Sequence, residues 1–294
     1  MLVREYLTYR VAQHTLSAMS ARNHRSTLND FVRKSDCPAA TLTVLHVENW
    51  LASISHLQPA TRRGHFSMVK VFCSWLVRNG HLVKNPTVEV PVPKQPRSMP
   101  RALDADLVAD LLAECPDNRA RAIVWLMVGM GLRCCEVSSA EMAGWDRRGQ
   151  AMTVTGKGSH ERTVPVPSEV KAALGAYLDE YPTRSGPIIR SYRRPTRALT
   201  PDALSGMVSE WMRAAEVKLA ARDGVSAHAL RHTAASDVLD ACGDLRVVQE
   251  MLGHANLSTT AIYLRRAGLP KMRLAMAGRQ YTRTMPGEGQ DGAA

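Results

Sequence analysis

Four prolines fall within ten residues, Pro91, Pro93, Pro96 and Pro100, and no other stretch constrains the fold of this chain as strongly. Proline has no N–H to give to a helix or a sheet ladder, so neither a helix nor a central strand can run through it. Residues 91–100 therefore read as an extended, semi-rigid linker. The chain has 294 residues, enough for two domains that each bury a core. The linker is also basic, with Lys94 and Arg97. Residues 1–93 hold 11 lysines and arginines against 5 acidic residues, 94–101 hold 3 against none, and 102–294 hold 24 against 22. The net charge of +11 thus gathers at the front and the junction, which favours a polyanionic partner such as nucleic acid.

Residues 1–90 read as helices. Apolar residues recur at three- and four-residue spacing over Leu2–Ala12 and Leu16–Lys34. Thr43 caps a helix running to about His56, and Pro59 opens a longer one to Asn79. Phe66, Val69, Phe72, Cys73 and Leu76 form the inward stripe of that helix. Arg62, Arg63 and Lys70 lie off the stripe and are candidate phosphate contacts, together with Lys94 and Arg97. Beyond the linker, residues 101–278 form the second domain. It has helices over Asp104–Glu114, Asp117–Met130, Val166–Tyr181 and from Thr200, and two β-runs, Ala151–Thr155 and Arg162–Val166. Residues 279–294 end in Gly-Glu-Gly-Gln-Asp-Gly-Ala-Ala and read as a disordered tail. The longest apolar run, Ala122 to Leu132, is too short to span a bilayer, and no apolar signal core opens the chain. The six cysteines show no CxxC pair or zinc-finger spacing. They read as reduced core residues of a cytoplasmic protein.

The richest chemistry lies between residues 226 and 266. Ser226 is an N-cap and Gly243 a C-cap for one helix, on which His228 and Arg231 are three apart and share a face. A short helix over 245–252 ends at Gly253, and His254 follows. Ser258 caps a third helix that carries Tyr263. Arginine grips phosphate with a planar fork, imidazole carries protons and a phenol can act as a covalent nucleophile. A phosphodiester is the substrate that uses all of these together. Upstream, Gly131-Leu-Arg133 precedes Glu136 by a helical turn, and Lys157 stands between two glycines at the tip joining the two β-runs. That tip is not a Walker A loop, because Gly-x4-Gly-Lys-[Ser/Thr] is absent.

Taken singly, each piece is common. In order and spacing, His228-x-x-Arg231, Leu-Gly-His254 and Tyr263 nine residues later resemble the C-terminal signature of the tyrosine recombinases, the phage-integrase family. Gly-Leu-Arg133 with Glu136 resembles the family's first arginine motif, and the Lys157 hairpin looks like the one that carries its catalytic lysine. More weakly, Gln58-Pro-Ala-Thr-Arg-Arg-Gly-His-Phe and the Trp75 to Pro86 stretch are similar to the family's core-binding domain.

The resemblance implies a mainly α fold with a small β-hairpin or sheet in the catalytic domain, arranged as a two-domain DNA clamp. It implies a core-binding domain over 1–90, a catalytic domain over 101–278, and the short form that lacks an N-terminal arm-binding domain. Arg133, Lys157, His228, Arg231, His254 and Tyr263 would be catalytic, with Glu136 supporting Arg133. The substrate would be double-stranded DNA, cut and rejoined through a 3′-phosphotyrosine on Tyr263, without metal or cofactor. Self-association into a dimer on a site and a tetramer in the synapse, and an accessory protein, also follow from it. The setting would be the cytoplasm of a bacterial cell or phage-infected host. Two other readings stay open: a type IB topoisomerase that relaxes supercoils, and a DNA-binding protein without catalysis.

Overall fold

The computed structural model describes residues 1–16, 18–94, 102–148, 150–156, 160–220 and 225–253. Arg97, Lys157, His254, Tyr263, the helix expected after Ser258 and the 279–294 tail lie outside the described residues. The chain divides into two compact units, Met1–Ser98 and Met99–Ala294.

The first unit is built from α1 (Leu2–Ala12), α2 (Ala18–Ser35), α3 (Val44–Ser53) and α4 (Pro59–Arg78). Proline stands at the first position of α4, where its missing N–H costs no hydrogen bond. One stripe of α4 is buried: Phe66, Val69, Phe72, Cys73, Trp75 and Leu76. Tyr6 of α1 meets Phe72 edge-on at 5.2 Å, and Phe31 of α2 meets Trp50 of α3 in the same way at 5.2 Å. The Trp50 indole N–H donates to Asp30 Oδ2 at 3.2 Å, so this buried ring keeps its polar atom satisfied. Off this stripe, Arg63 and Lys70 are exposed and two turns apart on one face of α4. Arg62 is half-buried, and its Nε has no partner among the described residues.

The second unit begins with α5 (Ala105–Ala113), α6 (Asn118–Val128) and α7 (Cys134–Ser139). A sheet follows, β1 (Trp145–Asp146), β2 (Ala151–Thr155) and β3 (Glu161–Pro165), antiparallel in the order β1-β2-β3. Then come α8 (Ser168–Glu180), α9 (Pro201–Ala214), α10 (Ala227–Cys242) and α11 (Leu245–Leu252). The apolar α6 is buried along most of its length and packs on α8 and α10. Strand alternation turns Met152, Val154 and Val164 into the core. Arg162 pairs with Val154 across the ladder and lies two residues from Val164, so it shares the inward face. Helix α8 starts at Ser168 rather than Val166, because the Val166 N–H extends the sheet by donating to the Gln150 carbonyl at 2.7 Å. At α10 the Ser226 side chain accepts from the His228 N–H at 3.3 Å, and Gly243 closes the helix in the left-handed region.

The cysteines depart from the expectation that all are core residues. Cys73 and Cys115 are buried, Cys37 and Cys134 are half-buried, and Cys135 and Cys242 are exposed. Among the described residues no helix is long and apolar enough to cross a membrane.

Candidate active site

Glu136 is the centre of the site. It sits on the first turn of α7 with its side chain at 0% exposure. Its Oε2 accepts the Arg133 backbone N–H at 2.9 Å, so the carboxylate caps its own helix. Three guanidiniums converge on the same carboxylate. Arg133 Nη1 donates to Oε1 at 3.0 Å, Arg162 donates to both oxygens at 2.8 and 3.0 Å, and Arg231 Nη1 lies 3.4 Å from Oε2. Glu136 thus supports Arg133 as expected and also caps the helix, and it does both from a buried site. Burial acts to raise its pKa. The hydrogen bonds from Arg162 and from the Arg133 N–H, with the charges of Arg162 and Arg231, outweigh that and hold the carboxyl below the ordinary carboxylate value. One negative charge faces three positive ones, so these four side chains leave a positive excess suited to an anion.

The two arginines expected to clamp a phosphate are held differently. Arg231 is buried to 2% of its side chain and is also fixed by carbonyls: Nη1 donates to Gly131 and Nη2 to Leu252. Arg133 keeps 29% of its side chain exposed. Among the described residues its side chain bonds only through Nη1, to Glu136 and, at 3.4 Å, to the Leu252 carbonyl. Two glycines permit this geometry. Gly131 has φ +65, and the turn it makes aims its carbonyl at Arg231. Gly253 has φ +62, and a Cβ there would stand 3.0 Å from Arg162 Cδ. Thr233, two residues after Arg231, accepts the Leu103 N–H at 2.8 Å and so anchors the start of the second unit to α10.

His228 lies one turn before Arg231, exposed at the N-terminus of α10, its ring meeting that of His232 edge-on at 5.5 Å. Partial desolvation of the ring, then the positive charges of Arg231 and Arg133, hold the His228 pKa below its ordinary value, with Glu136 pulling the other way. A neutral imidazole at neutral pH can accept a proton. Desolvation, with the charges of His228 and Arg231, takes His232 further down, to about 4. The folded state then binds fewer protons than the unfolded chain between pH 6.5 and 4. Stability from the neutral His232 is complete above pH 6.5 and is lost as pH falls toward 4. The melting temperature of the wild type is therefore expected to drop more steeply through that window than that of His232→Asn; parallel curves would contradict this.

The sequence matches the phage integrase family over residues 101–268, more than half of the chain. The chain belongs to this family, the tyrosine recombinases. A protein of Shewanella amazonensis described as tyrosine recombinase XerC is 31% identical over 281 residues, covering 89% of this chain and 90% of its own length. A protein of Myxococcus xanthus with the same description is 32% identical over 269 residues, covering 84% and 87%. The crystal structure of XerA recombinase shares 26% identity with a TM-score of 0.54 over 95% of this chain and 99% of that one. The tyrosine recombinase fold is also that of a lambda integrase dimer bound to a core site, at 18% identity and TM-score 0.74, covering 91% and 95%.

Of the expected catalytic residues, the structure brings Arg133 and Arg231 together on the supporting Glu136, with His228 nearby. Lys157, His254 and Tyr263 lie outside the described residues. Reading the sequence missed Arg162. The signal was present: in Arg162-Thr-Val164-Pro-Val166 the arginine takes a core-facing position of an alternating strand, where a charge stays only if paired.

Proposed function

We propose that this recombinase cuts and rejoins double-stranded DNA at a specific site through a covalent bond to Tyr263. The observation that carries the proposal is the arginine pair from α10 and the α6–α7 junction, tied to one buried carboxylate beside a neutral imidazole. The Tyr263 oxygen attacks phosphorus in line, giving its proton to His228, whose lowered pKa suits an acceptor at neutral pH. The bond to the 5′-oxygen breaks, and that oxygen takes a proton from Lys157. Arg133, Arg231 and His254 balance the charge that gathers on the non-bridging oxygens in the transition state. Arg133, the more exposed of the two, meets the phosphate first, and the buried Arg231 supplies positive field. The phosphotyrosine conserves the energy of the broken bond, so a second 5′-hydroxyl can reseal the strand by the reverse route.

Residues 1–90 serve as a core-binding domain and residues 101–278 as the catalytic domain, joined by the basic 91–100 linker. Two such chains sit on one site and four in the synapse. The enzyme works where its DNA is, in the cytoplasm of a bacterial cell. Arg63 and Lys70 touch phosphates from the exposed face of α4, with Lys94, Arg97 and Arg62 as further contacts. Each phosphate contact adds about 0.9 to the slope of log affinity against log salt. The double variant Arg63→Ala/Lys70→Ala is therefore expected to lower that slope by about 2 in fluorescence anisotropy between 50 and 200 mM salt; an unchanged slope removes this face from the DNA.

The function is tested by incubating the protein with genomic DNA of its source, trapping adducts in denaturant and sequencing the joints. A plasmid with two copies of the trapped site should then exchange strands between them. Relaxation of supercoils without any paired site would instead make the protein a topoisomerase.

A further inference from the structure

Arg162 has no part in the chemistry just described, yet its guanidinium is committed to two other segments of the catalytic unit. Its side chain faces inward from β3 at 12% exposure. Nη1 and Nη2 donate in parallel to the two oxygens of Glu136, the bidentate fork of arginine on carboxylate. Nε donates to the Met251 carbonyl at 2.7 Å, in the last turn of α11. The same side chain lies against Gly253, where a Cβ would stand 3.2 Å from Nη1. With its three nitrogens turned inward, Arg162 is not a DNA-reading arginine.

The hairpin end of this arrangement is equally close. The Gly156 N–H donates to the His160 carbonyl at 2.8 Å, closing the base of the loop that contains Lys157. A Cβ on Gly156 would be 3.5 Å from Glu136 Oε1 and 3.7 Å from Arg162 Nη1. The residue before Lys157 and the residue before His254 therefore both rest on the Glu136–Arg162 pair. An apolar pair would bind β3 to α7 at lower desolvation cost; a fork on a carboxylate adds a fixed register, because its donors fit one geometry.

We propose that Arg162 is a positioning residue. Through Glu136 and the Met251 carbonyl it sets the Lys157 hairpin and the turn into His254 in register with the Arg133/Arg231 clamp. The inference rests on the strand-cleavage reading for the role of Lys157.

A leaving oxygen needs a proton, whereas a thiolate does not, since thiols ionise near pH 8.5. The trapped-site duplex is made in two forms, with oxygen or sulfur bridging the scissile phosphate to the 5′ carbon. Adduct formation is measured in single turnover for the wild type, Arg162→Met, Arg162→Lys and Lys157→Ala. General acid catalysis contributes about 10²–10⁴-fold, so Lys157→Ala and Arg162→Met are both expected to be slowed by about 100-fold or more on the oxygen duplex and to recover most of that loss on sulfur. Arg162→Lys, a point charge without the fork, is expected to remain slow on oxygen. Equal losses on both duplexes, or no loss on oxygen, overturn the proposal. Hydrogen exchange in the DNA-free protein supplies a second readout: Arg162→Lys should open residues 151–165 and 245–253 while α8 and α9 keep their protection. Uniform loosening, or none, also overturns it. A wild type that forms no adduct on either duplex removes the cleavage reading itself, and exchange then still decides whether Arg162 holds the hairpin to α11.

Discussion

Replacing Glu136 with alanine is expected to destabilise the catalytic unit by about 3–5 kcal/mol, the cost of leaving buried charge without its partner. The carboxylate is wholly buried and is the shared acceptor for Arg133, Arg162 and Arg231. Without it Arg231, at 2% exposure, keeps the Gly131 and Leu252 carbonyls but loses its counter-charge. Arg162 and Arg133 repel it across the vacated space. For a domain of this size such a loss lowers the melting temperature by on the order of 10 °C. Glu136→Gln keeps the volume and one acceptor oxygen, and should fall between wild type and Glu136→Ala. Differential scanning calorimetry on the three proteins checks the order. A Glu136→Ala protein within 1–2 °C of wild type, roughly the noise of a surface substitution, would mean that the arginines are held by something else.

Tyr263→Phe is expected to abolish covalent attachment to DNA while leaving affinity nearly unchanged. Binding comes from many phosphate contacts spread over a basic surface, and one hydroxyl adds little to them. Removing a nucleophile has a far larger effect, on the order of 10⁶ in rate where it has been measured in another enzyme. A phenol ionises near pH 10, so at neutral pH its attack depends on an acceptor such as His228 and on the positive field of Arg133 and Arg231. The variant should therefore shift an end-labelled duplex in a native gel as the wild type does, and release it completely in a denaturing gel.

Much of the scaffold was legible because it is written locally. Pro59 at the start of α4, Ser226 before α10, and Gly243 and Gly253 after their helices all act within a turn of their own position. The two-residue β1 was not read, since two residues carry no periodicity. In the site, residue identities were legible and burial was not. A glutamate three residues after an arginine looks the same whether it lies on a solvated helix or at the centre of the unit. Only the packing of α6, α10 and β3 around it decides. His228 and Arg231 share a helix face by spacing, yet one is exposed and the other buried, because Arg231 is drawn onto the Gly131 and Leu252 carbonyls. Those acceptors are backbone atoms, which a residue pattern does not announce.

The most direct measurement is to digest the trapped protein–DNA complex and locate the nucleotide-bearing peptide by mass spectrometry. The account predicts a 3′-phosphodiester on Tyr263, and none on the complex formed by Tyr263→Phe. Attachment to Tyr281, to any other side chain, or through a 5′-phosphate would contradict it.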